Sequence, residues 1–217
     1  MGECVFVYGK SGSGKSRSLI NFGEDEIFLV NTIGKRLPFR SKFKYEIKTD
    51  DFSKIANGLR KMPTKTAVID DSGYLMTNAF MRGHSNTGAG NNIFSFYNSM
   101  ADSFWNLIQF VVHGMPDNKI VYFIMHEDKS DNGDIKPKTI GKVLDEKVCV
   151  EGMFTIVLRS ECIGGEYIFH TRTNGFDVTK TPMGMFDAPT ISNDLKMVDD
   201  TIREYYNIKT QGDNTNA

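Results

Sequence analysis

"YGKSGSGKSRS", residues 8–18, crowds three glycines and two lysines into the place where an apolar strand should hand over to a helix. Gly9, four residues and then Gly14-Lys15-Ser16 fit the pattern G-x-x-x-x-G-K-[ST]. The residue types suit an anion. Glycines let backbone N–H groups converge on phosphate oxygens, and a helix starting at the turn aims the positive end of its dipole at the same charge. Lys15 is expected to reach the β- and γ-phosphates of a nucleotide, and Ser16 to offer its hydroxyl to Mg2+. The run Gly9, Lys10, Ser11, Gly12, Ser13, Gly14, Lys15, Ser16 and Arg17 is thus the expected nucleotide-binding loop. The plain alternative, a chance glycine-rich turn, fits less well with an apolar strand before the motif and a helix after it.

Working outward, residues 3–8 (ECVFVY) read as that strand, residues 15–21 as the helix and residues 26–31 (EIFLVN) as a second strand. Residues 34–44 are basic and irregular, with Pro38 excluding a helix. Asp50 or Asp51 can cap a helix that places Phe52, Ile55, Ala56 and Leu59 on one face. Residues 66–70 (TAVID) form another buried-type strand. Residues 83–92 hold three glycines and almost nothing apolar, the composition of a mobile loop. A long helix follows, with Phe94, Tyr97, Ala101, Phe104, Ile108 and Val111 at helical spacing. Residues 119–125 are a strand ending at His126-Glu127, residues 128–138 a polar loop, and residues 141–147 a short helix. Residues 153–159 and 166–171 read as antiparallel strands joined at Gly164-Gly165. A last helix aligns Leu195, Val198, Ile202 and Tyr205. The alternation predicts an α/β fold, a mostly parallel sheet with helices on both faces and antiparallel strands at the C-terminal end. It also predicts a single domain over residues 1–208 and a flexible polar tail over 209–217.

Of the 217 residues 40% are hydrophobic, enough for one large core. Lys and Arg number 26 against 27 Asp and Glu, a net charge of −1, so any nucleic-acid contact must be a local patch. Cys4, Cys149 and Cys162 have no metal-ligand spacing and sit in apolar runs, so buried reduced thiols are expected. No apolar run reaches the roughly 18 residues a membrane span needs. A soluble cytoplasmic protein without membrane contact is expected.

Three strand ends carry the remaining chemistry. Asp70 closes an apolar strand and is expected to hold Mg2+ as a Walker B carboxylate does. Asp71 could orient the attacking water, and Glu127 competes for that role. His126 could bond the γ-phosphate and report its loss. Against these stand plain readings: strand-end aspartates as turn caps, and a solvated loop histidine.

The stretches GKSGSGKS (9–16), NTIGKRLPF (31–39), AVIDD (67–71), FIMHE (123–127) and TRTNGFDVTKTPMGMF (171–186) together resemble the core-only RecA-like ATPases of bacteriophages, over roughly residues 3–190. That family acts in single-strand annealing and recombination. The resemblance implies ATP with Mg2+ as cofactors, single-stranded DNA as partner, DNA-stimulated ATP hydrolysis, and the cytoplasm of a bacterial host. A ring or filament with ATP sites between subunits is implied, with a single-strand-binding protein as a candidate partner. Two loops would meet DNA: one flanked by Arg82 and His84, the other carrying Lys129, Lys136, Lys138 and Lys142. Neither holds aromatics for base stacking. Because the phosphate-loop half offers no second cation apart from Arg17, Lys180 and Arg172 would act as fingers from a neighbouring subunit. One departure stands out. The family carries a catalytic glutamate just after the strand that follows the phosphate loop; here that strand ends Leu29-Val30-Asn31-Thr32, with no carboxylate before Glu46.

Two other classes fit the same loop. A small P-loop kinase of a nucleotide or metabolite would need an arginine-rich lid, and the loop after His126 has lysines but no arginine. A nucleotide-dependent scaffold with negligible turnover would account for the missing glutamate.

Overall fold

The structure, a computed structural model, describes residues 1–87, 91–140 and 147–208. Nine strands form a mixed, mostly parallel sheet among these residues. They are β1 (Glu3–Gly9), β2 (Ile27–Asn31), β3 (Tyr45–Ile47), β4 (Thr66–Asp70), β5 (Ile120–Lys129), β6 (Ile135–Pro137), β7 (Ile156–Ile163), β8 (Glu166–His170) and β9 (Thr190–Ser192). The order is β3-β2-β4-β5-β1-β7-β8-β9, with β6 paired to the far end of β5. From β3 to β7 every pairing is parallel; β7, β8 and β9 are antiparallel.

Strict alternation builds the two faces, because successive side chains of a strand point to opposite sides. Phe6, Tyr8, Val30, Ile69, Phe123 and Met125 pack with helices α1 (Phe52–Lys61), α2 (Tyr74–Gly83) and α3 (Asn91–Gly114). Val5, Val7, Leu29, Val68, Tyr122 and Ile124 pack on the other side with Leu195, Val198 and Ile202 of α4 (Leu195–Tyr205). Both ends of the sequence reading thus agree with the structure on class: helices flank a sheet buried on both faces. Asp51 rather than Asp50 caps α1, its side chain accepting from Lys54 N at 3.0 Å.

Several local expectations need correction. The expected helix over 15–21 is one 3-10 turn, Ser16–Leu19. Ser18 Oγ turns back to the Lys15 carbonyl at 2.5 Å and Asn21 Nδ2 donates to Asp194, so local side-chain bonds compete with helix propagation. Of the expected loop over 83–92, the described residues are mostly helical: α2 runs to Gly83, His84–Asn86 is a 3-10 turn and α3 begins at Asn91. The expected loop over 128–138 is a hairpin. β5 continues to Lys129 and returns as β6 around Ser130 and Gly133, whose φ of 91° suits only glycine. Of the three cysteines only Cys4 is buried; Cys149 and Cys162 are exposed. The expected helix over 141–147 and tail over 209–217 lie, except for Lys147, outside the described residues. No described helix is long and apolar enough to cross a membrane.

Candidate functional site

Parallel pairing brings the C-terminal ends of β1, β5, β4 and β2 to one edge, where ligands of open α/β sheets are held. β5 lies between β1 and β4, with Gly9 opposite His126 and Ile69 opposite Phe123. Asn31 of β2 stands opposite Asp70. The glycine loop, the aspartate pair, His126-Glu127 and the turn after β2 therefore share one site.

The loop is wrapped tightly. Gly14 has φ +100°, and a Cβ there would lie 2.6 Å from the Tyr167 ring and 2.9 Å from Asn193 Oδ1. At Gly9 a Cβ would meet the Ser160 carbonyl at 2.3 Å. The Lys15 ammonium donates to the carbonyls of Gly9 at 2.8 Å and Lys10 at 2.6 Å. Burial pushes Lys15 down to about 8, although Asp71 and Asp70 pull the other way. The C-terminal strands buttress the loop: Ser160 Oγ donates to the Ser13 carbonyl at 2.7 Å, and Asn193 Nδ2 donates to Ser160 Oγ at 3.1 Å. Arg17 turns onto the Tyr167 ring, 4.7 Å from its centroid.

Across the sheet, Ser16 Oγ donates to Asp70 Oδ1 at 2.9 Å. Burial, and then the Asp71 charge, push Asp70 up to about 6 against the Ser16 bond. Asp71 sits in the left-handed region at φ 57° and is buried. Its carboxylate is paired with the Lys35 ammonium and lies 3.4 Å from His126 Nε2. Burial favours its neutral form, but the bonds from His126 and Lys35 outweigh that and hold it below the usual carboxylate range. Glu127 is held by Arg159. Its Oε2 accepts from Arg159 Nε at 3.0 Å with both side chains buried, and Oε1 has no hydrogen-bond partner among the described residues. Arg159 continues to Glu161, which also bonds His170 at 2.8 Å.

An open cleft of about 480 Å³ is walled by Lys15, Ser16, Lys35, Asp71 and His126 together with the apolar Ile20 and Phe39. A second, of about 610 Å³, shares Ser11, Lys35 and His126 with it and extends to Glu127 and Lys138. The donors suit a phosphate chain and one hard cation. Ser16 and Asp70 could hold Mg2+, which takes one or two protein oxygens and completes its shell with phosphate and water. No cluster of three or more His, Cys, Asp or Glu suits a protein-only metal site among the described residues.

The other sequence candidates lie elsewhere. Lys129, Lys136 and Lys138 are exposed along the β5–β6 hairpin, and Lys142 is outside the described residues. Arg82 is paired with Asp50 at 2.7 Å, and His84 is stacked on Phe80 with Nδ1 3.0 Å from the Phe80 carbonyl. Lys180 is exposed beside β7, bridged through its backbone to Val157, and does not line the cleft. Arg172 Nη2 donates to the carbonyls of Phe186 and Asp187 of its own chain. Sequence reasoning missed Lys35, Arg36, Arg159 and Tyr167. Contrary to the sequence expectation, the phosphate-loop half offers cations besides Arg17: Lys35 and Arg36 both wall the cleft. The available signal was the basic run just after β2, since residues there fall at the ligand-holding edge of a parallel sheet.

The chain matches no protein-family model, and no curated protein matches it.

Proposed function

We propose that the protein is a RecA-like P-loop ATPase that binds ATP with Mg2+ and single-stranded DNA and acts in annealing or strand exchange. One contact carries the reading: Ser16 Oγ on Asp70 Oδ1 at 2.9 Å, between residues 54 apart in sequence. It joins the hydroxyl and the carboxylate that a phosphate-loop enzyme needs for its metal. Bound Mg2+ would supply charge neutralisation on the β- and γ-phosphates. The chain's own part is to bind and orient. The loop N–H groups and Lys15 take the phosphates, and Asp71 faces the cleft as the carboxylate that orients water. Glu127, engaged by Arg159 at 3.0 Å, is the weaker candidate for that role.

The DNA part of the reading rests on the resemblance and on β5. That strand runs from the cleft at His126 into a hairpin displaying Lys129, Lys136 and Lys138. Subunits would associate head to tail along the strand, as a heterologous interface closes or propagates. The decisive measurement is Mg2+-dependent ATP turnover with and without single-stranded DNA. Turnover that rises with DNA, and is lost in Lys15→Ala, is expected; absence of nucleotide binding in the unaltered chain refutes the reading. Replacing Lys129, Lys136 and Lys138 together with alanine should lower the log–log salt slope of DNA binding by roughly 2.

The second cleft favours one other reading. A space of about 610 Å³ meeting the first at Ser11, Lys35 and His126 could seat a phosphoryl acceptor, as a small kinase would require. ADP release stimulated by a nucleoside monophosphate, and not by DNA, would select it.

A further inference from the structure

We infer that Lys35 is the in-subunit cation for the terminal phosphate: it rests on Asp71 until a triphosphate arrives, then moves onto the γ-phosphate and frees the carboxylate for water. The inference rests on the nucleotide reading above and adds a residue to it.

The turn after β2 is built to hold this lysine by its backbone and not by its side chain. Asn31 Oδ1 accepts from Gly34 N at 2.9 Å, and Asn31 Nδ2 donates to the Lys35 carbonyl at 2.7 Å and to Glu46 Oε1 at 3.0 Å. Gly34 takes φ +74°, which closes the turn. The Lys35 side chain is then 47% exposed, whereas the Asp71 side chain it pairs with is 3% exposed. A half-solvated ammonium on a four-carbon stem can change partners by rotating its own torsions; a buried carboxylate on a left-handed backbone cannot.

Competitors for the role are otherwise engaged. Lys15, held on the loop carbonyls, is already given to the phosphate chain in the reading above, and Arg17 lies on Tyr167. Arg36 walls the first cleft only, beside Pro38 and Phe39, whereas Lys35 and His126 wall both clefts where they meet. Lys35 also stands just after β2, where the resembled family carries a glutamate. Here the carboxylate comes from Asp71 at the neighbouring strand end and the cation from the turn after β2.

A γ-phosphate carries more charge than the carboxylate and competes for the ammonium. In hydrolysis the water oxygen bonds to the γ-phosphorus as the bond to the β,γ-bridging oxygen breaks. That electron pair leaves with ADP, and the water proton passes through Asp71 to solvent. Lys35 neutralises the charge building on the γ-oxygens, where a preorganised donor acts most strongly. After phosphate leaves, Lys35 returns to Asp71, so the pair distinguishes ATP from ADP.

The test compares ATP and ADP binding and ATP turnover for the full chain, Lys35→Ala and Lys35→Arg, each with Mg2+. Lys35→Ala should lower turnover about 10²-fold and ATP affinity about 10-fold, with ADP affinity unchanged. Lys35→Arg should recover the preference for ATP. Equal loss of ATP and ADP affinity, or normal turnover in Lys35→Ala, overturns the inference, since a merely structural pair would not read the γ-phosphate. If the unaltered chain binds neither nucleotide, the underlying reading fails and takes this one with it. If Lys15→Ala abolishes binding while Lys35→Ala behaves normally, only the Lys35 role fails. Should Lys35→Ala lose its cooperative melt, Lys35→Met, which keeps the stem, replaces it.

Discussion

The five-residue strand β4 has a buried charged cluster at each end, and the two clusters obey different rules. At Thr66, Asp199 accepts from Thr66 Oγ1 at 2.9 Å, Tyr122 OH at 3.1 Å and Arg203 Nε at 2.7 Å. Arg203 also donates to Thr66 Oγ1 at 2.9 Å and to the Asn118 carbonyl at 3.3 Å. This network pins α4 to the sheet with side chains that are all buried. At Asp70, four residues on, the partners are a serine hydroxyl, a half-exposed lysine on the adjacent carboxylate and a histidine at 3.4 Å. Nearby Ser13 Oγ, Thr32 Oγ1 and Glu127 Oε1 are buried without hydrogen-bond partners among the described residues. The first network closes on itself; the second keeps hydrogen-bonding capacity in reserve, as the proposed ligand site requires.

The contrast can be broken experimentally. Asp199→Ala strands the buried Arg203 and should cost about 3–5 kcal/mol in chemical denaturation, while turnover per folded molecule stays normal; a small loss would mean the α4 pin is not the closed network described. Asp70→Asn should do the opposite, lowering Mg2+-dependent turnover by about 10²-fold without loss of stability, because ionising that carboxylate is already unfavourable. A large fall in the melting temperature would put Asp70 in the structural class. Ser160→Ala tests the contact between loop and C-terminal strands. It removes the donor to Ser13 and should cost about 1 kcal/mol, visible as weaker nucleotide binding before any change in turnover.

An equally small effect comes from Glu3, at the same end of the sheet as Asp199. Burial raises its carboxyl from 4.5 to about 7. A folded value above the unfolded one gives stability that is complete below about pH 4.5 and lost as the pH rises through 7. Glu3→Gln should therefore melt like the unaltered chain at pH 4.5 and be more stable at pH 8, by about 1 kcal/mol once solvent screening is allowed for. Equal melting at both pH values would show that the carboxylate is fully hydrated in the folded state.

How much of this was legible depended on whether a residue's partner is local. β4 was read to its exact bounds because TAVID is apolar up to its terminal carboxylates. The glycine-rich turn after β1 was legible because Gly9, Gly12 and Gly14 interrupt the apolar run within six residues. The α2 helix escapes a local reading because its cap position is Gly73, with no side-chain cap bond to announce the start, although Leu75 and Met76 behind it are fully buried. β3 and β6 are three residues each and exist only through their neighbours. Lys35, Arg159 and the Asp199–Arg203 pin depend on pairings across the sheet that no local pattern announces.

The buttress beneath the phosphate loop has a consequence for synthesis. Ser13 waits for Ser160, 147 residues later in the chain. At ribosomal rates of about 5–20 residues per second that is a delay of roughly 7–30 s. β1, one of the most apolar strands, must also wait for both its neighbours, β5 and β7. β1 is thus made before both strands that shelter it, and each of its edges stays unpaired until that neighbour emerges. Nucleotide capture by this loop would report that the C-terminal hairpin has been made and has docked.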